Sequence, residues 1–179
     1  MSNGGGANRL LIMRHAKSDW SDPALADVDR PLNGRGNAAA IRMAAWLADH
    51  DLRPDRILCS AATRTRRTVQ HLVTGLWLDP ATVVHRDDLY LADAESWLAA
   101  IRTERHAATL LLCGHNPGCD ELLELLSIDE PGRQANGKLL TTAAIADLAL
   151  EGPWSDVGPG SGRLVQLVRP RELAAEAGG

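Results

Sequence analysis

Arg14 and His15 stand immediately after the apolar run Leu10-Leu11-Ile12-Met13, and the two side chains together have a definite chemistry. A guanidinium is a rigid, non-titrating fork of donors that matches phosphate oxygens, and an imidazole is a nitrogen nucleophile at neutral pH. A fixed cation beside a nucleophile at the carboxyl end of a buried strand suits phosphoryl transfer. Taken alone, the dipeptide is better read as a strand end capped by a surface ion pair. Two more stretches tip the balance: Ser60 and Arg64 follow the short apolar run Ile57-Leu58-Cys59, and Gly114-His115 follow Ala108 to Cys113. If three such strands end side by side, two guanidinium groups and two imidazoles surround one point.

The elements that must hold these residues follow from the alternation of short apolar runs with helical spacings, the pattern of an α/β chain. A strand over Arg9 to Arg14 leads into a polar stretch to Asn33 that is too long for a plain connector. Apolar positions Ile41, Ala44, Ala45 and Leu47 have helical spacing between Gly34 and His50, and Arg53-Pro54 closes that helix. Arg56 to Cys59 reads as a buried strand, and Ser60 as the N-cap of a helix running through Arg64, Thr68 and Leu72 towards Trp77. Val83-Val84 is a weaker strand and Ala94 to Arg102 a helix. Ala108 to Cys113 is continuously apolar, which implies burial on both faces, and Gly118 to Ser127 follows as a helix. Ala143 to Leu150 and Arg163 to Val168 are the last strands, with Gly152-Pro153 and Gly158-Pro159-Gly160 as turns. In open sheets of this kind, ligands bind beyond the carboxyl ends of the strands, where all three junctions would lie.

Composition narrows the classes of function. A chain of 179 residues suits one domain with a real core. A net charge of −4 and an isoelectric point near 5.8 argue against a nucleic-acid binder. No apolar run approaches a membrane span, and three cysteines, Cys59, Cys113 and Cys119, make no disulfide framework, which suits a reducing cytoplasm. Residues 1–8 are Gly-rich and polar and read as a flexible leader, 9–170 as the domain, and 171–179 as a tail with a short helix and a frayed end.

The ordered motifs Leu11-Ile12-Met13-Arg14-His15-Ala16-Lys17-Ser18-Asp19-Trp20, Asp29-Arg30-Pro31-Leu32-Asn33, Ser60-Ala61-Ala62-Thr63-Arg64 and Gly114-His115-Asn116-Pro117 resemble the histidine phosphatase (phosphoglycerate-mutase-like) superfamily, and within it the small SixA-type phosphohistidine phosphatases. Lys138 to Ala144 and Gly152-Pro153-Trp154 are similar to the later part of that branch. The resemblance runs from Arg9 to Pro170. It implies a three-layer α/β/α domain with a mostly parallel central sheet, His15 as a nucleophile that becomes phosphorylated, Arg14 and Arg64 as phosphate clamps, and His115 as a transition-state contact. It also implies inorganic phosphate as product, with no metal and no cofactor, because cationic side chains meet the charge that spreads over the phosphoryl oxygens.

The general acid departs from the family pattern. Larger members use a carboxylate, usually Glu, where this chain reads His85-Arg86-Asp87-Asp88-Leu89-Tyr90; Asp87 is the counterpart by spacing, with Asp19 and Asp88 as alternatives. An alkoxide leaving group needs an acid more than the protonated nitrogen of a phosphohistidine does. The stretch Leu91 to Ala107 has room for one helix and none for a large cap, so the site is expected to admit a side chain from another protein, such as a histidine-containing phosphotransfer domain. Ser21, Asn116 and Lys17 are further candidates for phosphate contact, Lys138 for a basic rim, and Arg30 and Asn33 for loop support. A Cys113/Cys119 zinc site lacks a second pair of closely spaced ligands. Two other functions stand beside the protein phosphatase: a small-molecule phosphomonoesterase, and a phosphate-binding module without turnover.

Overall fold

The computed structural model of the chain describes residues 7–176. Its centre is a six-stranded sheet formed by β1 (Asn8–Arg14), β2 (Arg56–Ser60), β3 (Val83–Arg86), β4 (Thr109–Gly114), β5 (Ile145–Leu150) and β6 (Gly162–Val168). The spatial order is β3-β2-β4-β1-β5-β6. The first four in that order are mutually parallel, and only the β1–β5 and β5–β6 pairings are antiparallel, so the mostly parallel sheet expected from the sequence is what forms. Five helices cover it: α1 (Gly34–Asp49), α2 (Thr63–Leu76), α3 (Ala94–Ile101), α4 (Gly118–Leu126) and α5 (Pro170–Glu176). None is long and apolar enough to cross a membrane.

The continuous apolar run of β1 is explained by the period of two along a strand. Leu10 and Ile12 enter a core shared with Trp97 and Ile101 of α3 and Leu122 and Leu126 of α4. Leu11 and Met13 enter the opposite core, with Met43 and Leu47 of α1 and Val69 and Leu72 of α2. Two helical layers therefore sandwich the sheet. Leu173 of α5 joins the second core, so the expected tail helix docks rather than standing free. Asn8, expected in the leader, already pairs with Leu150; residues 1–6 and 177–179 lie outside the described part.

Two local expectations are corrected. Ala40, Met43, Ala44 and Leu47 form the buried face of α1, whereas Ile41 is 56% exposed and Ala45 is exposed, because the true 3.6-residue stripe runs from Gly36 through Ala40. Ser60 is not an N-cap. It is still in the β2 ladder opposite Arg86, the next N–H (Ala61) also goes to Arg86, and α2 starts only at Thr63 behind Ala62.

The long polar stretch after β1 closes on itself. Asp19 N donates to Pro31 O, Asn33 N to Lys17 O, and Ser18 bridges Leu32. Arg30 lies over the Trp20 ring at 4.1 Å and donates to Asp22 O. Asn33 caps α1 by accepting from Gly36 N at 2.9 Å and donates to Ser18 O. Arg30 and Asn33 therefore support the loop, as expected. Gly36 is required here, because a Cβ would overlap the Lys17 carbonyl.

Candidate active site

Strand order brings the three junctions together. β2, β4 and β1 are consecutive neighbours, with Cys59 opposite Cys113 and Arg14 opposite Gly114. His15 N donates to Gly114 O at 3.0 Å, so the backbone after β1 is tied to the end of β4. The His15 and His115 rings lie 5.2 Å apart between centroids.

His15 is fixed in one tautomer by two contacts. Nδ1 lies 2.7 Å from Ala16 O, and a carbonyl only accepts, so Nδ1 carries the proton. Nε2 accepts from Arg64 Nε at 3.3 Å, which leaves it the unprotonated nitrogen. Burial, helped by the nearby His115, Arg64 and Arg14, pushes the imidazole down to about 3. The ring is thus neutral at physiological pH with a lone pair on Nε2. Its loop is pinned from α2: Ala16 N donates to Thr68 Oγ1, which donates to Arg64 O.

His115 is held from both sides. Nε2 lies 2.8 Å from Ser60 Oγ, and Nδ1 faces Arg64 Nη2 at 3.2 Å. Burial, then the charge of Arg64, lowers its pKa to about 4. Ser60, removed from the helix start by the strand ladder, is therefore a site residue through its side chain.

Arg14 is anchored differently. Its Nη1 donates to Leu140 O at 3.1 Å, a carbonyl that also accepts from Asn116 Nδ2 at 3.2 Å. The segment carrying that carbonyl is held by Asp120, in the first turn of α4, whose carboxylate accepts from Leu139 N and Leu140 N. Arg14 Nε is buried with no partner among the described residues. Burial lowers the Arg14 pKa, but a guanidinium stays charged in proteins.

The carboxylate in this site is one that sequence reasoning missed. Asp27 Oδ2 accepts from Arg64 Nη2 at 2.9 Å and from the Tyr90 hydroxyl at 2.5 Å, and Asp27 O accepts from Arg64 Nη1 at 2.6 Å. The Tyr90 hydrogen bond, then Arg64, lowers the carboxyl pKa, while Asp27 raises that of the phenol. Tyr90 meets the His115 ring edge-on at 5.5 Å. No local pattern distinguishes Asp27 from Asp22 and Asp29 beside it. Only the fold singles it out.

The other expected residues stand at varying distance from this centre. Asp87 is exposed and makes no side-chain hydrogen bond or ion pair among the described residues, although its carbonyl accepts from Tyr90 N at 3.1 Å. Asp88 pairs with Arg86, and Asp19 accepts from the Ser21 backbone. Ser21, Lys17 and Lys138 are exposed. Asn116 is at the site edge through Leu140 O. The cysteines are free and buried, and no group of three or more metal-ligating side chains gathers among the described residues.

A grouping of two arginines and two histidines around a buried lone pair can hold a tetrahedral oxyanion against a nucleophile. Comparison with known proteins agrees. Residues 10–97 match the histidine phosphatase superfamily, branch 1. The chain is 36% identical over 164 residues to an uncharacterized protein of Mycobacterium tuberculosis, covering 89% of this chain and 100% of that one. It superposes with a TM-score of 0.77 and 31% identity on a structure from Nakamurella multipartitia assigned as phosphohistidine phosphatase SixA, over 92% of this chain and 97% of that one. The protein histidine phosphatase SixA complexed with tungstate gives a TM-score of 0.74 at 25% identity, over 92% and 99%. The chain belongs to the histidine phosphatase superfamily, in its SixA-type branch, and its chemistry is that of a phosphatase.

Proposed function

We propose that the protein hydrolyses phosphohistidine in another protein through a covalent phosphohistidine intermediate on His15, without a metal. The observation that carries this reading is the fixed His15 tautomer: Nδ1–H held by Ala16 O, and an unprotonated Nε2 beside Arg64. The Nε2 lone pair forms the N–P bond as the bond from phosphorus to the leaving nitrogen breaks. The leaving imidazole, protonated on its other nitrogen, departs neutral with the electron pair. The Ala16 carbonyl stabilises the positive charge of the phosphorylated His15 ring. Water then forms the new P–O bond, the pair returns to Nε2, and inorganic phosphate leaves. Arg14, Arg64 and His115 meet the charge on the equatorial oxygens.

A phosphohistidine substrate is supported by the absence of a site-contacting acid at the expected position. Asp87 lies on the turn that delivers Tyr90 with its carboxylate exposed, and it would be the acid only in the alternative reading, hydrolysis of a small phosphomonoester with an oxygen leaving group. Asn116 and Lys17 edge the same pocket in this reading, and Ser21 lies further out on the loop. The single short helix α3 after Tyr90 leaves the site without a large cap, which favours a protein such as a phosphotransfer domain over a small phosphorylated molecule. The buried free cysteines support a reducing, cytoplasmic setting.

The test is turnover of a phosphohistidine protein, p-nitrophenyl phosphate and a panel of sugar phosphates, with EDTA present. The protein substrate should be preferred. His15→Ala should lose about a thousandfold or more in rate, together with acid-labile phosphate labelling. Retained labelling in His15→Ala, or activity lost to EDTA, would overturn the mechanism; preference for a sugar phosphate would overturn the substrate.

A further inference from the structure

Arg64 has five N–H donors, and the structure accounts for four of them. Nε is on His15 Nε2, Nη2 on both Asp27 Oδ2 and His115 Nδ1, and Nη1 on Asp27 O. One N–H, on Nη1, is left. A guanidinium grips a phosphoryl group through two parallel N–H bonds, and no such pair is free. The lone pair of the nucleophile is covered by the same side chain. The resting arrangement therefore has to give up a partner before Arg64 can hold substrate.

Asp27 is the partner that can leave. His15 and His115 sit on strand ends tied into the sheet, whereas Asp27 sits on a 3₁₀ turn in the middle of the loop between β1 and α1. Its side chain is 42% exposed, while that of Arg64 is 5% exposed. Its carboxylate is also the group on Arg64 most like a phosphoryl group: an oxyanion whose Oδ2 already takes one N–H from Arg64 and the O–H of Tyr90. A phosphoryl dianion arriving there meets a like charge.

We propose that Asp27 is a resident competitor for the phosphate clamp. Its carboxylate occupies Arg64 in the free enzyme, Tyr90 holds it there, and the phosphoryl group enters by displacing it, so the loop between β1 and α1 swings outward when substrate binds. The proposal deepens the phosphatase reading and uses its assignment of Arg64 as clamp, but it is testable without turnover. A substrate that cannot displace the carboxylate, such as a monoanionic or weakly charged ester, is rejected at this step.

The experiment is calorimetric titration of inorganic phosphate into the wild type, Asp27→Asn and Asp27→Ala, with melting curves to show that each variant is folded. Competition predicts tighter phosphate in both variants, by about fivefold given the partial exposure of the pair. A carboxylate that merely positioned Arg64 would give the opposite sign, so unchanged or weaker binding in both folded variants overturns the proposal. If a variant fails to fold, the wild type still decides. Trp20, one of five tryptophans, lies in the same loop under Arg30; fluorescence should change on phosphate saturation with the calorimetric midpoint in the wild type and lose that change in Trp20→Phe, and a silent wild type overturns the displacement. Phosphate binding by the wild type with no gain in the variants leaves the phosphatase reading standing and removes the competitor. No phosphate binding to any form removes both.

Discussion

The two histidines of the site are kept neutral by the same burial that positions them, and this has a consequence for stability. Both imidazoles lie below their ordinary value of 6.5, His15 at about 3 and His115 at about 4. The unfolded chain takes up protons on both as the pH falls below about 6.5, while the folded chain does not. The unfolded state therefore binds more protons in that window, and stability decreases from pH 6.5 down to about 3, the His115 part levelling off near 4 and the His15 part near 3. Urea midpoints at pH 7.5 and pH 5.0 should differ, with the lower midpoint at pH 5.0. His15→Asn and His115→Asn should each flatten the difference, and equal midpoints in the wild type would contradict the account. At this scale the sequence was informative for the placement of His15, Arg14, Arg64 and His115, since Arg14 ends a strand, His15 and His115 directly follow one, and Arg64 lies in the first turn of the helix after one. It was silent on Asp27, whose partner Arg64 is 37 residues away, and it misassigned Ser60, whose hydroxyl serves a histidine 55 residues on. Contacts made across that much chain leave no local spacing to read.

Among the elements, the end of β4 is the most constrained. Gly114 is the last residue of the strand, and a Cβ there would overlap the buried Trp97 ring of α3. Gly114→Ala should therefore cost about 1–3 kcal/mol, by overpacking, and lower turnover as well, because the next residue is His115. A chemical-denaturation curve and a rate assay check both parts; an unchanged midpoint would mean that Trp97 moves aside freely. Strands were legible where a short run was continuously apolar, as in β1 and β4. The face of α1 was less so, because its Ala-rich sequence offers several overlapping stripes and only packing against Leu11 and Met13 selects one. Asp120 illustrates a further limit: it reads as a first-turn acid on α4, yet its carboxylate supports the Leu139–Leu140 backbone that anchors Arg14.

For the molecule as a whole, α/β class was readable from alternation and the mostly parallel sheet came from the family resemblance, but the order β3-β2-β4-β1-β5-β6 was not readable, since β2–β4, β4–β1 and β1–β5 pair out of chain order. That order also governs how the site comes into being. β1 is flanked by β4 and β5, both from the second half of the chain, while α1 and α2 pack together from adjacent segments. Arg64 reaches His15 and His115 across 49 and 51 residues. Loop closure of this length is slow relative to helix formation. On dilution from denaturant, helical ellipticity should return first and phosphate binding last; simultaneous recovery would show that sheet closure is not limiting. A nascent chain halted before β4 would present Arg14, His15 and Arg64 without His115 and with no neighbour on either edge of β1. On the proposed mechanism, a nucleophile whose clamp and companion histidine follow two different strands has no phosphatase chemistry to offer until β4 is in place.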